Sequence, residues 1–175
     1  LILTGDNTYT GPTTIEGGAL RIGNGGATGS LAGDIANAGT LVFDRGNALT
    51  YTGVISGPGA VSKIGADAVN LAGANTYDGD TTVGAGTLEF GRALGAANTL
   101  GGGITVAGGA TLAIHTPATV DMAGAAVLND GASLSITTAR AAEGEPPESW
   151  RVKAVTIGNG VTFNLSGVAA ASATD

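Results

Sequence analysis

The 175 residues contain no cysteine, so neither a disulfide framework nor a thiolate metal site is available. Aromatic residues make up 4% of the chain, with a single tryptophan, which rules out the large aromatic core of a globular enzyme. Basic residues are scarce as well. Seven Lys and Arg stand against fourteen Asp and Glu, a formal charge of −7, and the acidic residues are scattered. That balance removes the basic surface that nucleic acid needs. There is no polybasic helix for anionic lipid and no uninterrupted apolar run of about 18 residues to span a bilayer. No signal peptide stands at Leu1, and the strand-like opening Leu1-Ile2-Leu3-Thr4 reads as the start of an excised fragment.

Glycine is what the chain has in excess, 32 residues of 175 against a typical share of roughly 7%. The backbone must therefore turn often or approach itself closely. With so little side-chain bulk, a thin and repetitive core is expected.

Residues 3–23 (LTGDNTYTGPTTIEGGALRIG) align with residues 71–91 (LAGANTYDGDTTVGAGTLEFG) at an offset of 68, with eleven of 21 positions identical. Ile15/Val83 and Ile22/Phe90 are apolar replacements, whereas Arg21 stands opposite Glu89. A charge reversal between apolar neighbours implies a solvent-facing position. Leu20 and Ile22 then point inward with Arg21 outward, and Leu88, Phe90 and Glu89 repeat the arrangement, the period-two pattern of a half-buried strand.

A shorter pattern, glycine followed two or three residues later by an apolar pair, recurs more often. Its apolar members are Leu20/Ile22, Leu41/Phe43, Val61 with Ile64, Leu88/Phe90, Leu112/Ile114, Leu134/Ile136 and Phe163/Leu165. The first members are separated by 21, 20, 27, 24, 22 and 29 residues, and 68 divided by three is about 23. One coil per step is the simplest reading. An antiparallel sandwich would show turn signals every 8–12 residues or so, whereas a solenoid returns its strands at about 20–30. Leucine-rich repeats share such periods, but their consensus is missing, and Gly, Thr and Asn crowd out long helices. The expected fold is all-β, a right-handed parallel β-helix (β-solenoid) of roughly seven to eight coils with equivalent residues stacked about 4.7–4.9 Å apart. Each inward Leu, Ile, Val or Phe contributes about 1.5–3 kcal/mol, while ordering the backbone costs about 1–2 kcal/mol per residue. No coil holds alone, so stability comes from stacking.

The stretch Asn7-Thr8-Tyr9-Thr10-Gly11, continuing to Thr13-Thr14-Ile15 and Gly18-Ala19-Leu20, resembles the autotransporter-associated β-strand repeat, also called the passenger-associated transport repeat. The second copy carries Asn75-Thr76-Tyr77, Gly79, Thr81-Thr82-Val83 and Gly86-Thr87-Leu88, preceded by a lead-in from Gly57 to Gly65. The two matches cover residues 1–23 and about 53–91; residues 92–175 keep only the shorter pattern. The resemblance implies a passenger of a Gram-negative autotransporter, exported across the outer membrane by a C-terminal β-barrel and displayed at the cell surface, with the repeat associated with efficient transport. It further implies adhesion or host interaction through a host-cell surface or matrix component, or through self-association. In organisation the chain reads as a single segment, with regular coils over 1–138, a protruding loop over 139–150 and a further coil over 151–175.

Chemistry-bearing constellations are sparse. His115 is the only histidine, lacks a triad or metal-ligand spacing, and reads as a surface or turn residue. Asp78 and Asp80 have the spacing from which a hydrolytic pair or a Ca²⁺ site on one strand face would start, and a solvated turn is the plainer reading. Gly23-Asn24-Gly25-Gly26 and Gly101-Gly102-Gly103 lack the helix that would make them phosphate loops, so they read as turns. Asn7 and Asn75 suit left-handed turns or hydrogen-bonded ladders, with Tyr9 and Tyr77 packed beside them. The segment Ala139 to Trp150, with its paired prolines, breaks the rhythm, and Glu148, Trp150 and Arg151 have the residue types of a binding patch. The plainer reading has Trp150 covering apolar surface. No catalytic site, cofactor or metal is expected. The leading function is a structural, surface-displayed stalk serving adhesion. The alternatives are a secretion and folding module without a ligand and, from fold analogy and the Asp78/Asp80 pair alone, a polysaccharide-cleaving β-helix.

Overall fold

The computed structural model describes residues 1–91, 97–115, 119–137, 151–152 and 155–166. Among them every regular element is a β-strand, and every strand pairing is parallel. The chain winds as a β-solenoid with three faces. In one turn, Ile35–Asn37 lies on the first face, Thr40–Phe43 on the second and Leu49–Tyr51 on the third. The second face is an eight-stranded sheet running from Ile2–Leu3 to Val155–Ile157, and the third a six-stranded sheet from Leu49–Tyr51 to Thr162–Ser166. The first face is built from a four-stranded and a three-stranded sheet. These are joined where Thr99 N donates to Asn75 O at 2.9 Å and Gly101 N to Tyr77 O at 3.0 Å.

Among the described residues six complete three-strand turns follow one another, preceded by Ile2–Leu3, Thr13–Ile15 and Ala19–Ile22, which belong to two incomplete turns. The expected count of seven to eight is reached only by including those. Alternation within each short strand makes the core: the second face sends in Leu20, Leu41, Val61 and Ile104 along one row and Ile22, Phe43, Val83 and Val106 along the next. The third face sends in Val69, Leu88, Leu112 and Leu134, with Leu71, Phe90 and Ile114 beside them.

This register corrects the single ladder expected from the glycine and apolar pattern. Leu20 stacks on Leu41 and Leu41 on Val61 in the second face, but the residue above Val61 is Thr81, while Leu88 and Leu112 belong to the third face. Three turns carry the chain from Leu20 to Thr81, 61 residues on, and the remaining seven carry it round one corner to Leu88. The 68-residue offset is therefore three turns and one face. The step of 27 between Val61 and Leu88 has the same cause.

Two side chains differ in exposure from what the pattern implies. Ile64, read as the inward partner of Val61, is 42% exposed, and Lys63 takes the inward place between Phe43 and Val83 with no exposed surface. A strand's alternation puts residue 63, not 64, on the side of Val61. Glu89, expected in solvent like Arg21, is buried, with its carboxylate 3.8 Å from His115 Nε2. Arg21 is a third exposed and pairs with Asp44 of the next turn.

Corners between faces are columns of glycine, because successive turns leave no room there for a side chain. A Cβ on Gly39 would stand 2.5 Å from Gly18 O, and one on Gly102 would stand 2.5 Å from Gly79 O.

Candidate functional site

The chemistry of this molecule is concentrated at its corners, and most of it acts on the backbone. Asparagines form one set of clamps. Asn75 Nδ2 donates to Gly73 O and to Asn98 Oδ1, both at 2.8 Å, while its Oδ1 accepts from Ile55 N at 2.9 Å. One buried amide thus ties three successive turns together. Asn37 holds Ala60 O at 2.9 Å and accepts from Gly39 N at 3.1 Å. Asn7 donates to Gly5 O and Ser30 O at 2.9 Å each. Every left-handed backbone position among the described residues is a glycine, so the asparagines serve as ladder residues and not as left-handed turns.

Aspartates form a second set. Asp34 Oδ1 accepts from Val54 N at 2.8 Å, Asp80 Oδ1 from Gly103 N at 2.9 Å, and Asp130 Oδ1 from Asn159 N at 2.8 Å, each reaching the following turn. Asp6 Oδ1 does the same for Gly29 N and Ser30 Oγ at 3.0 Å. Asp78 and Asp80 are therefore exposed residues of the turn between Thr76–Tyr77 and Thr81–Val83, not neighbours on a strand face. Asp80 holds the next turn's backbone.

Buried cations form the third. Lys63 Nζ donates to Gly65 O and, at 2.9 Å, to Ala85 O. Burial pushes its ammonium below the ordinary lysine value, against the pull of Asp67 and Asp44. Arg45 donates to Gly29 O, to Ala27 O at 2.6 Å and to Asn47 Oδ1 at 2.7 Å, with Asp6 Oδ1 3.7 Å away. It pins Ala27 and Gly29, just after Gly23 to Gly26, where the chain bends. No motif announced Lys63 or Arg45. Their positions in the alternation, at corners rich in carbonyls, were the available signal.

Tyrosines close the set. Tyr77, fully buried, shares a 2.7 Å hydrogen bond with Thr81 Oγ1, and Tyr9 shares one of 2.9 Å with Thr13 Oγ1. Tyr51 donates to Gly33 O. Burial pushes the Tyr77 and Tyr51 phenols well above the ordinary value.

Gly11 and Gly79 lie at turns beside these bonds, and Gly18 and Gly86 adopt left-handed backbone before the inward Leu20 and Leu88. His115 ends the strand Thr111–His115, half-buried, and is not in a turn. No group of three or more His, Asp or Glu able to hold a metal occurs among the described residues. A hollow at the first turns is lined by Leu1, Leu3, Tyr9, Ile15 and Leu20. Glu148 and Trp150, with the expected loop at 139–150, lie outside the described residues; Arg151 begins a strand paired with Asp121.

A parallel solenoid whose repeats expend their polar residues on holding its own turns belongs to the class of β-solenoid scaffolds. Residues 1–22 and 61–90 match the family described as Passenger-associated-transport-repeat, so these two segments of the chain carry that repeat. Over 117 residues it is 40% identical to the adhesin BmaC autotransporter of Brucella suis biovar 1 (strain 1330), an alignment covering 54% of this chain and 3% of the adhesin. The chain therefore corresponds to a small part of that relative. No solved structure matches it.

Proposed function

We propose that this chain is a non-enzymatic stalk segment of a surface-displayed passenger, exported across the outer membrane by a C-terminal β-barrel and serving adhesion or host interaction. The observation that carries this reading is the use made of the repeat. Among its identical residues, Asn7/Asn75, Tyr9/Tyr77 and Thr13/Thr81 are bound to one another or to backbone, and Leu20/Leu88 fill the core. The position between the inward residues varies, Arg21 in one copy and Glu89 in the other. Such a molecule presents a rigid surface and leaves no constellation for turnover among its described residues. The adhesin name of the relative supports adhesion as the task, with a host-cell surface, a matrix component or a second passenger as partner.

The test is binding of the purified chain to host cells, to matrix proteins and to itself, alongside surface display of a passenger lacking residues 1–91. Saturable binding supports the stalk with an adhesive face. Absence of all binding, combined with reduced display of the deletion, transfers the function to secretion and folding, a reading favoured by the self-contained corners of the repeat.

A further inference from the structure

The two copies of the repeat make the same local bonds in different surroundings. Tyr77 is fully enclosed, whereas Tyr9 is 44% exposed, yet each hydroxyl meets the threonine four residues on, at 2.7 and 2.9 Å. Asn7 and Asn75 each reach the carbonyl two residues back, at 2.9 and 2.8 Å. Gly18 and Gly86 share φ values of +67° and +62°, and Gly23 and Gly91 values of +85° and +82°. The copies also occupy different faces: Thr13–Ile15 is on the first and its counterpart Thr81–Val83 on the second. Closure of this corner depends on neither burial nor face.

Most other polar clamps need a turn that already exists. Asp34 to Val54, Asp80 to Gly103 and Asp130 to Asn159 close loops of 20, 23 and 29 residues. Bringing such distant residues together costs chain entropy before any contact repays it, whereas contacts two and four residues apart form at little cost. Resting on the passenger reading, we propose that the Asn-x-Tyr-x-x-x-Thr corner of each transport repeat, Asn7 to Thr13 and Asn75 to Thr81, is a nucleation site for the solenoid. It closes on its own and then offers a formed strand and turn on which the adjoining turn stacks.

Stopped-flow refolding and unfolding of the whole chain tests this, comparing the native sequence with Tyr77→Phe, Tyr9→Phe and Asp34→Ala. Loss of one hydrogen bond from the nucleus should slow refolding about three- to tenfold while leaving unfolding nearly unchanged. Asp34→Ala, which breaks a bond between turns, should instead accelerate unfolding. Tyrosine variants that alter only the unfolding rate overturn the proposal. Tyr9→Phe keeps the test decisive if Tyr77→Phe fails to fold, since Tyr9 is 44% exposed. Surface exposure of the native chain within its own protein is a separate measurement: its failure removes the passenger reading, while the rate constants still decide the nucleus.

Discussion

Leu20 and Leu88 occupy the same place in two copies of one motif and lie on different faces of the solenoid, Leu20 beside Leu41 on the second and Leu88 beside Leu112 on the third. A repeat of this kind is a unit of strand and corner, not a unit of whole turns. Its spacing is free to be any number of faces, provided that inward residues still meet inward residues. What the motif conserves is the way a corner closes.

The glycine columns make the sharpest mutational contrast. Gly39→Ala places a methyl 2.5 Å from Gly18 O and 3.1 Å from Ile15 Cγ2, so neighbouring turns must separate. A loss of about 2–4 kcal/mol is expected, the scale of an overpacked core site with displaced backbone. Gly11→Ala meets nothing within 4 Å and should change stability by less than about 1 kcal/mol. Urea unfolding of the two variants checks this; equal losses would mean that the corner does not set the spacing between turns.

How far this could be read from residues alone depends on what each residue tells. Period-two alternation at Leu20, Arg21 and Ile22 announced half-buried strands, and spacings near 20 announced parallel turns, because both follow from chain geometry. The face of each strand was not legible, since Leu20 and Leu88 sit in identical local sequence. Lys63 was missed because a charged residue in an apolar column reads as outward. Its stem takes the place of an apolar side chain while its ammonium reaches the corner carbonyls of Gly65 and Ala85. Asp78 and Asp80 looked like a pair because spacing alone cannot distinguish a strand from a turn.

The aspartate clamps give a prediction of different size. Asp34 is exposed, and its carboxylate takes up Val54 N at 2.8 Å. Asp34→Ala should cost about 1 kcal/mol, and Asp34→Asn less, because an amide oxygen still accepts the bond. Chemical denaturation should show the shift in midpoint without a change in slope, since the surface exposed on unfolding is the same.

Alkaline pH separates the tyrosines from the lysine. The Tyr77 and Tyr51 phenols are raised by burial, so the folded chain keeps protons that the unfolded chain releases near pH 10. Their contribution is complete below pH 10 and is lost as pH climbs toward their higher folded values. Lys63 is lowered by burial, so stability gains from its deprotonation between the lowered value and 10.5, and nothing further is gained above 10.5. Urea midpoints should therefore fall steeply above pH 10.5. The fall should be shallower in Tyr77→Phe, and an unchanged slope would show that Tyr77 is not enclosed.

Excision of a turn tests the register itself. Thr81 stands directly over Val61, so removing residues 61–80 joins Ala60 to Thr81 and places each later strand where its predecessor in the stack stood. Val83 then lies over Phe43 and Leu88 over Leu49, and inward residues still meet inward residues. In a stack whose turns contact only their neighbours, the shortened chain should retain a β-sheet spectrum and unfold with a denaturant slope lowered by roughly a tenth. Removing only residues 61–70 should do more damage, because Gly73, a corner residue, would fall at the place of Lys63 within the second face. A shorter deletion that is worse tolerated than a longer one is the signature of periodic stacking. The opposite order would mean that the faces are held by something other than the register of their strands.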